Sequence, residues 1–406
     1  MADPPIADPP IEFSSQDALL PSKRGAYRGD RPQTAQFYTG GAGRPRPLSQ
    51  RPEAVQRLMD RHDVYRPAPD LVRAVNAAML LGMPLLLTGA PGVGKTRLAR
   101  HLAEEQGAPF AFFAVTSVSS ARDLLYRFDE LGRMRAAFRT MAAGRQAADA
   151  ALDIAGGSGP AAPSSGEEDL RQYLSFRALG RAILRAGGPD APLEPIASGA
   201  AAMHGLERFR DLFDFERDED DAKKDLQRDI DWSLPTVVLI DEIDKAPRDL
   251  PNDLLTELER MQFDIPELGV RVKLPPRAQP PVVIITSNVE RALPEPFLRR
   301  CVYHHIAWPE ERLDEIIGLH IASLERNDPR RAEARAIVQR LREDPRISRP
   351  PGLAEMLQWL HLLERQGIAD LRGNSRDVVD TLGALLKTEA DLQVGRELLE
   401  QWPQKK

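Results

Sequence analysis

The sequence has little cysteine, no long apolar run and no excess of basic residues among its 406 positions. Its single cysteine, Cys301, excludes an intramolecular disulfide, so we expect a reducing compartment and assign the protein to the cytoplasm. The longest apolar stretches, such as 79–87, are far shorter than the roughly 20 residues of a membrane-spanning helix. The first residues also lack the basic and apolar regions of a secretory signal. The sequence therefore predicts no membrane span.

Acidic residues slightly outnumber basic ones, 61 against 55, which gives a net charge of −6. This balance argues against a broad nucleic-acid-binding surface, because such surfaces neutralise phosphates with clustered lysine and arginine. Hydrophobic residues make up 42% of the chain and charged residues 29%, as in ordinary globular proteins. The length exceeds what one hydrophobic core usually organises, so we expect two or three structural units.

Residues 1–60 are rich in proline and show no apolar periodicity. This composition predicts a disordered, proline-rich leader, because it offers too little apolar surface to form a core. A docking tail for a partner is the alternative interpretation.

Residues 61–308 alternate short apolar strands with helices, which predicts an α/β fold with a mostly parallel sheet flanked by helices. The strands are predicted at residues 85–88, 111–115, 236–240, 281–286 and 302–306. From residue 309 to 406 the pattern becomes purely helical, which predicts a small all-helical domain. Its helices are predicted at residues 310–325, 331–342, 352–365 and 376–399.

Two insertions interrupt the α/β region. The longer one covers about 130–232 and begins with an Ala-, Gly-, Ser- and Pro-rich stretch, 141–166, which we interpret as a linker. Within it, residues 207–231 contain eleven acidic and six basic residues, which is typical of a solvated helix face or of a partner-binding surface. The shorter insertion, about 262–275, alternates apolar and polar residues around a glycine turn and predicts a β-hairpin.

A glycine-rich motif follows the first strand and precedes a helix, and it matches G-x-x-x-x-G-K-[ST] at every fixed position. Its glycines let backbone N–H groups point at phosphate oxygens, and the helix N-terminus adds partial positive charge. We expect the lysine to reach the β- and γ-phosphates of ATP and the threonine hydroxyl to bind Mg²⁺. The motif consists of Gly89, Ala90, Pro91, Gly92, Val93, Gly94, Lys95 and Thr96.

Two acidic residues, Asp241 and Glu242, follow the buried strand 236–240. Asp241 is expected to hold Mg²⁺ through water, and Glu242 to polarise the attacking water as general base. Acidic residues at a solvated helix N-terminus are the alternative, since carboxylates are stabilised there.

Three further polar residues narrow the class of ATPase that the sequence predicts. Asn288 follows the strand 281–286, where an amide can position the attacking water, although it can equally cap a turn. Arg299 and Arg300 come just ahead of the last strand. An arginine placed there can stabilise the transition state at the γ-phosphate of a neighbouring subunit. A solvated pair at the edge of an element is the alternative.

The order of these motifs resembles the AAA+ superfamily, and more closely the MoxR-type ATPases. The resemblance covers roughly residue 65 to the C-terminus, and it is carried by the stretches 116–126, 241–247 and 293–301 together with the P-loop. It implies a P-loop NTPase sheet domain followed by a helical lid domain at 309–406. The long insertion and the hairpin resemble the helix-2 insert and the pre-sensor-1 hairpin of this group, which contact substrate in relatives.

The resemblance also implies roles for individual residues. Lys95 and Thr96 form the Walker A pair, and Asp241 and Glu242 the Walker B pair. Asn288 corresponds to the residue called sensor 1, and Arg349 to the one called sensor 2. Arg300 corresponds best to the arginine finger, with Arg299 as the second choice. The family further implies a homo-oligomeric ring, here expected to be a hexamer, and a protein client or adaptor such as a von Willebrand A-domain protein.

Two other function classes stay open from the sequence alone. A nucleic-acid-linked motor of the same superfamily is kept open by Arg271 and Lys273 on the hairpin, although the acidic balance argues against it. A slow ATP-dependent signalling switch is the other, because a complete catalytic set does not determine a rate.

Tyr65 is predicted either to line the adenine pocket or to anchor the first helix.

Overall fold

The computed structural model describes residues 65–154, 169–196, 206–212, 235–321, 323–368, 370–371 and 375–401, with side chains described only to residue 142 in the first range. The leader 1–60 and most of the acidic stretch 207–231 lie outside these residues. None of the helices described is long and apolar enough to cross a membrane.

A five-stranded parallel sheet forms the centre of the α/β region. Its three inner strands are buried on both faces, which explains their continuous apolar runs, whereas the two edge strands are partly exposed. The strands are β1 (Leu85–Thr88), β2 (Phe110–Ala114), β6 (Val237–Asp241), β9 (Val282–Ser287) and β10 (Val302–His305). Their order across the sheet is β10-β1-β9-β6-β2. The predicted parallel sheet is therefore confirmed, and each strand lies within one or two residues of its predicted position.

Helices cover this sheet, and their ends follow local sequence signals. The first helix begins with Pro69 at its first position and ends at Gly82 in the left-handed conformation, as the preferences of proline and glycine predict. The second begins at the last residues of the glycine-rich motif. These two helices are α1 (Pro69–Leu81) and α2 (Lys95–Gln106), and they share a core with one face of the sheet.

The long insertion splits a helix into two parts. Helix α3 (Ala121–Leu125) stops at strand β3 (Tyr126–Phe128), and helix α4 (Glu130–Ile154) follows. Strand β4 (Leu174–Phe176) pairs antiparallel with β3, and helix α5 (Ala178–Gly187) then resumes beside α3. The Arg177 N–H donates to the Leu125 carbonyl at 2.9 Å across this junction. The segment between the two helix parts, 126–177, therefore covers only the first part of the insertion predicted at about 130–232, and α5 lies within those predicted bounds.

The interpretation of residues 141–166 as a linker is wrong for its first part, because α4 continues to Ile154. The stretch 142–154 is rich in alanine, the residue with the highest helix propensity, and this outweighs the single Gly144. Residues 155–166 lie outside the described part of the chain.

The shorter insertion forms the predicted hairpin. Strands β7 (Gln262–Ile265) and β8 (Val270–Lys273) pair antiparallel around Gly269, which has a φ of 68°. A short strand β5 (Glu194–Pro195) adds to the edge of β8. Two short helices, α6 (Leu250–Asp253) and α7 (Leu255–Arg260), lead into the hairpin, and α8 (Glu295–Leu298) precedes β10.

The C-terminal part of the chain is helical and has its own hydrophobic core around the fully buried Trp359. Its helices are α9 (Leu313–His320), α10 (Pro329–Glu343), α11 (Leu353–Arg365), α12 (Ser375–Thr381) and α13 (Glu389–Glu400). The single helix predicted at 376–399 is wrong. Thr388 adopts an extended conformation and its side chain accepts the Asp391 N–H, so it starts a new helix there.

The junction between α3 and α5 gives a stability prediction. A Cβ at Gly180 would lie 2.0 Å from the Leu125 carbonyl oxygen, and backbone cannot move aside as a side chain can. We expect Gly180→Ala to lower the free energy of unfolding by about 2–3 kcal/mol and to lower Tm by about 5 °C. Gly383→Ala is the matched control, because a Cβ there meets nothing within 4 Å. Equal melting temperatures for the two variants would contradict this packing.

Candidate active site

The glycine-rich motif forms the turn between β1 and α2. Gly89 has a φ of 140°, and a Cβ on it would lie 2.4 Å from the Ile306 carbonyl oxygen, so glycine is needed for both reasons. The Lys95 ammonium donates to the Gly89 carbonyl at 2.7 Å and to the Ala90 carbonyl at 3.1 Å. The motif is thus folded around its own lysine at the N-terminus of a helix.

Lys95 also connects the loop to the central strand β9. Its ammonium donates to Asn288 Oδ1 at 2.7 Å, although the two residues are 193 positions apart. Burial lowers the pKa of Lys95, and the carboxylates of Asp241, Asp244 and Glu242 oppose that shift. The structure therefore brings together the lysine, the acidic pair and Asn288, as predicted.

Thr96 and Asp241 face each other where β6 ends. The Thr96 hydroxyl lies 3.2 and 3.3 Å from the two Asp241 carboxylate oxygens. Thr286, which the sequence did not single out, donates its hydroxyl to Asp241 Oδ1 at 2.5 Å. A hydroxyl and a carboxylate are hard oxygen ligands of the kind that Mg²⁺ prefers. The residues present therefore fit an Mg²⁺ ion beside the phosphate-binding loop.

Glu242 stands one residue beyond the strand in the left-handed conformation, with φ 60° and ψ 52°. Its N–H donates to the Thr286 hydroxyl at 2.9 Å, which holds this unfavourable backbone in place. Its carboxylate accepts a hydrogen bond from Asn288 Nδ2 at 3.1 Å and forms an ion pair with Lys245. The turn directs Asp241 and Glu242 to different partners.

Asp244 is a buried carboxylate that the sequence reasoning missed. Only 3% of it is exposed, and its Oδ2 accepts the N–H groups of Asn288 at 3.1 Å and of Glu290 at 3.0 Å. It therefore fixes the backbone on which Asn288 stands. The one signal for Asp244 in the sequence was its position two residues after Glu242, because a carboxylate at that position can reach the next strand.

A cavity of about 1040 Å³ lies beside these residues, large enough for a nucleotide. Its wall includes the loop 91–96, Asp241, Glu242 and Asn288. Tyr65 also lines it and stands edge-on to His101 in α2, and burial raises the pKa of the Tyr65 phenol to about 12. Tyr65 thus lies in the cavity wall, and its ring contact is with α2, while anchoring of the first helix, α1, stays a prediction.

The start of α11 closes the cavity against the glycine-rich loop. A Cβ on Gly92 would lie 3.3 Å from Ala354, whose neighbours Leu353 and Leu357 also line the cavity. Contact between the helical region and the loop means that movement of α11 would change the shape of the cavity.

Arg299 and Arg300 do not line this cavity. Arg300 pairs with Glu259 at 3.0 Å. Arg299 pairs with Glu295, one turn earlier. Both arginines are exposed. They lie at the surface just after α8, where a second chain can reach them.

Arg349 is exposed and does not line the cavity. Its backbone N–H donates to Asp391 Oδ2 at 3.3 Å. Pro350, Pro351 and Gly352 lie between Arg349 and the first turn of α11. Its role as sensor 2 stays a prediction.

His304 and His305 both lie in the cavity wall at the end of β10. His304 Nε2 lies 3.8 Å from Asp70 Oδ2, and His305 Nδ1 lies 3.0 Å from the Thr88 hydroxyl.

Cys301 is buried, and burial raises the pKa of its thiol to about 12. Such a thiol has little thiolate character.

Comparison with known proteins agrees with this geometry. The model of the AAA domain (dynein-related subfamily) matches residues 84–154, which include β1, the glycine-rich loop and α2. Protein CbbQ of Allochromatium vinosum is 39% identical over 54 residues, which are 13% of this chain and 73% of that protein. With the sheet, the loop and the C-terminal helical region described above, the chain belongs to the MoxR-type AAA+ ATPases.

Proposed function

We propose that this protein hydrolyses ATP with Mg²⁺ and uses the energy, as a ring, to remodel or mature a partner protein or complex. The observation that carries the proposal is the cluster of Lys95, Thr96, Asp241, Glu242 and Asn288. Its members are joined by hydrogen bonds of 2.7–3.3 Å within one cavity wall. A buried cation, hard oxygen ligands and a carboxylate base are the groups that phosphoryl transfer to water needs.

Each residue has a role in this proposal. Loop N–H groups and Lys95 bind the phosphates, and Thr96 with Asp241 holds Mg²⁺, which neutralises phosphate charge when bound. Glu242 accepts a proton from the attacking water, and Asn288 orients that water next to it. The hydrogen bond between Asn288 and Glu242 supports this pairing of base and orienting amide.

The ring is supported by the position of the arginines. The transition state of phosphoryl transfer gains most from a fixed guanidinium at the γ-phosphate. Since Arg299 and Arg300 stand outside the cavity of their own chain, their participation requires a neighbouring copy. A hexamer is the ring size that the family resemblance favours.

A protein client is supported by the surface of α4. Four large apolar side chains are exposed at spacings of three and four residues, which places them on one face of the helix. They are Leu131, Met134, Phe138 and Met141, each between 54% and 66% exposed. Exposed apolar faces of this kind mark protein-binding sites. By family resemblance the partner is a client or a von Willebrand A-domain adaptor.

The nucleic-acid motor receives less support. Arg271, one of the two cations that kept it open, pairs with Asp264 at 2.6 Å, and Lys273 pairs with Glu194 at 3.4 Å. Both cations on the hairpin thus already face carboxylates of the same chain, which weakens attraction to a phosphate backbone.

The first test is specific ATPase activity as a function of protein concentration, with Mg²⁺ present. We expect activity per chain to rise steeply and then saturate, because the active site is completed by a neighbour. Sizing under the same conditions should show assembly over the same concentration range. Activity that stays flat while the protein is monomeric would support the slow switch and withdraw the remodelling proposal.

A further inference from the structure

Both carboxylate oxygens of Glu242 are engaged by donors. Oε1 accepts from Asn288 Nδ2 at 3.1 Å, and Oε2 pairs with the Lys245 ammonium. A general base must offer an oxygen lone pair to the water from which it takes a proton. Each carboxylate oxygen has two lone pairs, so the direction in which its partners turn the carboxylate decides whether a lone pair faces that water.

The two donors lie on different sides of the cavity wall. Asn288 lines the cavity together with Glu242, whereas Lys245 does not. Lys245 closes the 3₁₀ turn after Glu242, and 46% of its side chain is exposed. The ion pair therefore turns Oε2 towards a group that is not part of the cavity wall.

The surrounding backbone has little freedom to compensate. The Thr286 hydroxyl accepts the Glu242 N–H at 2.9 Å, and Asp244 accepts two N–H groups of the loop that carries Asn288. Only the Glu242 side chain can turn. The Glu242 carboxylate can then pair with Lys245 in one rotamer and face the attacking water in another. The two rotamers differ little in free energy.

We propose that Lys245 is a positioning residue that restrains ATP hydrolysis by holding Glu242 away from the attacking water. The inference rests on the proposed role of Glu242 as the base. It implies that a partner or neighbouring chain that offers Lys245 another carboxylate releases Glu242 and raises the rate. The hydrogen bond to Glu242 raises the pKa of Lys245, so this restraint persists at neutral pH.

The test compares kcat and KM of the full-length wild type with those of Lys245→Met, which keeps the side-chain length without the charge. We expect kcat to rise up to about fivefold, which is the rate change that an exposed ion pair can impose. KM for ATP should stay unchanged, because Lys245 does not line the cavity. Lys245→Arg should restore a low kcat. Lys387→Met is the control for loss of an exposed lysine elsewhere.

The outcomes separate this inference from the proposed function. A kcat of Lys245→Met at or below that of wild type would overturn the restraint, provided that wild type hydrolyses ATP and Glu242→Gln does not. A wild type without ATPase activity at any concentration would instead remove the proposed function itself. A changed KM with constant kcat would also overturn the restraint, since it would mean that Lys245 acts on binding.

Discussion

Replacing Glu242 by glutamine is expected to lower kcat for ATP hydrolysis by about 10²- to 10⁴-fold, the usual contribution of a general base. Glutamine has nearly the same shape, and its carbonyl oxygen can still accept the Asn288 amide hydrogen bond seen at 3.1 Å. It cannot take a proton from water at neutral pH. The phosphate-binding groups, Lys95 and the loop N–H groups, are untouched, so ATP affinity should stay close to that of wild type.

Two measurements check this expectation, namely phosphate release at saturating ATP and the Kd of a fluorescent ATP analogue. Glu105→Gln, which removes an exposed carboxylate from α2, is the matched control and should behave as wild type. Lys95→Ala should lose binding itself, because it removes the cation that we propose to face the phosphates. Full turnover by Glu242→Gln would exclude Glu242 as the base, whatever its affinity for ATP.

The parts of the site that were predictable from the sequence are local. The loop 89–96 is contiguous, and its glycines, lysine and threonine have meaning only at fixed spacing, so the motif could be recognised directly. Strands such as β6 and β9 are apolar runs between polar ends, which short-range patterns also reveal. The neighbourhood of Asp241 and Asn288 then followed, because parallel strands end at the same edge of a sheet.

The parts that could not be predicted depend on pairing between distant residues. Thr286 reaches Asp241 across 45 positions and Asp244 reaches the Asn288 backbone across 44, and neither threonine nor a second aspartate carries a recognisable pattern. The helix through Ile154 was missed because small residues suggested a linker, although alanine favours a helix.

Replacing Arg300 by alanine is expected to leave ATP binding intact and to lower kcat by about 10³-fold or more, as for other arginine fingers. Its guanidinium stands at the surface, held by Glu259 at 3.0 Å and by the Pro296 carbonyl at 3.2 Å. Neither contact involves the cavity of its own chain, so the loss has to appear at a neighbour. Arg300→Lys should not rescue activity, because an ammonium cannot donate two parallel hydrogen bonds as a guanidinium can.

Arg299→Ala is the matched control, since it removes the same group one residue earlier, where the partner is Glu295, one turn before it. Mixing Arg300→Ala with Glu242→Gln, each nearly inactive alone, should restore ATPase activity. The reason is that an Arg300→Ala chain keeps its own Glu242, while a Glu242→Gln neighbour supplies the arginine. No recovery of activity in the mixture would mean that the arginine acts within its own chain or not at all. If Arg299→Ala is complemented in this way and Arg300→Ala keeps wild-type activity, the finger is Arg299, and the ring remains supported.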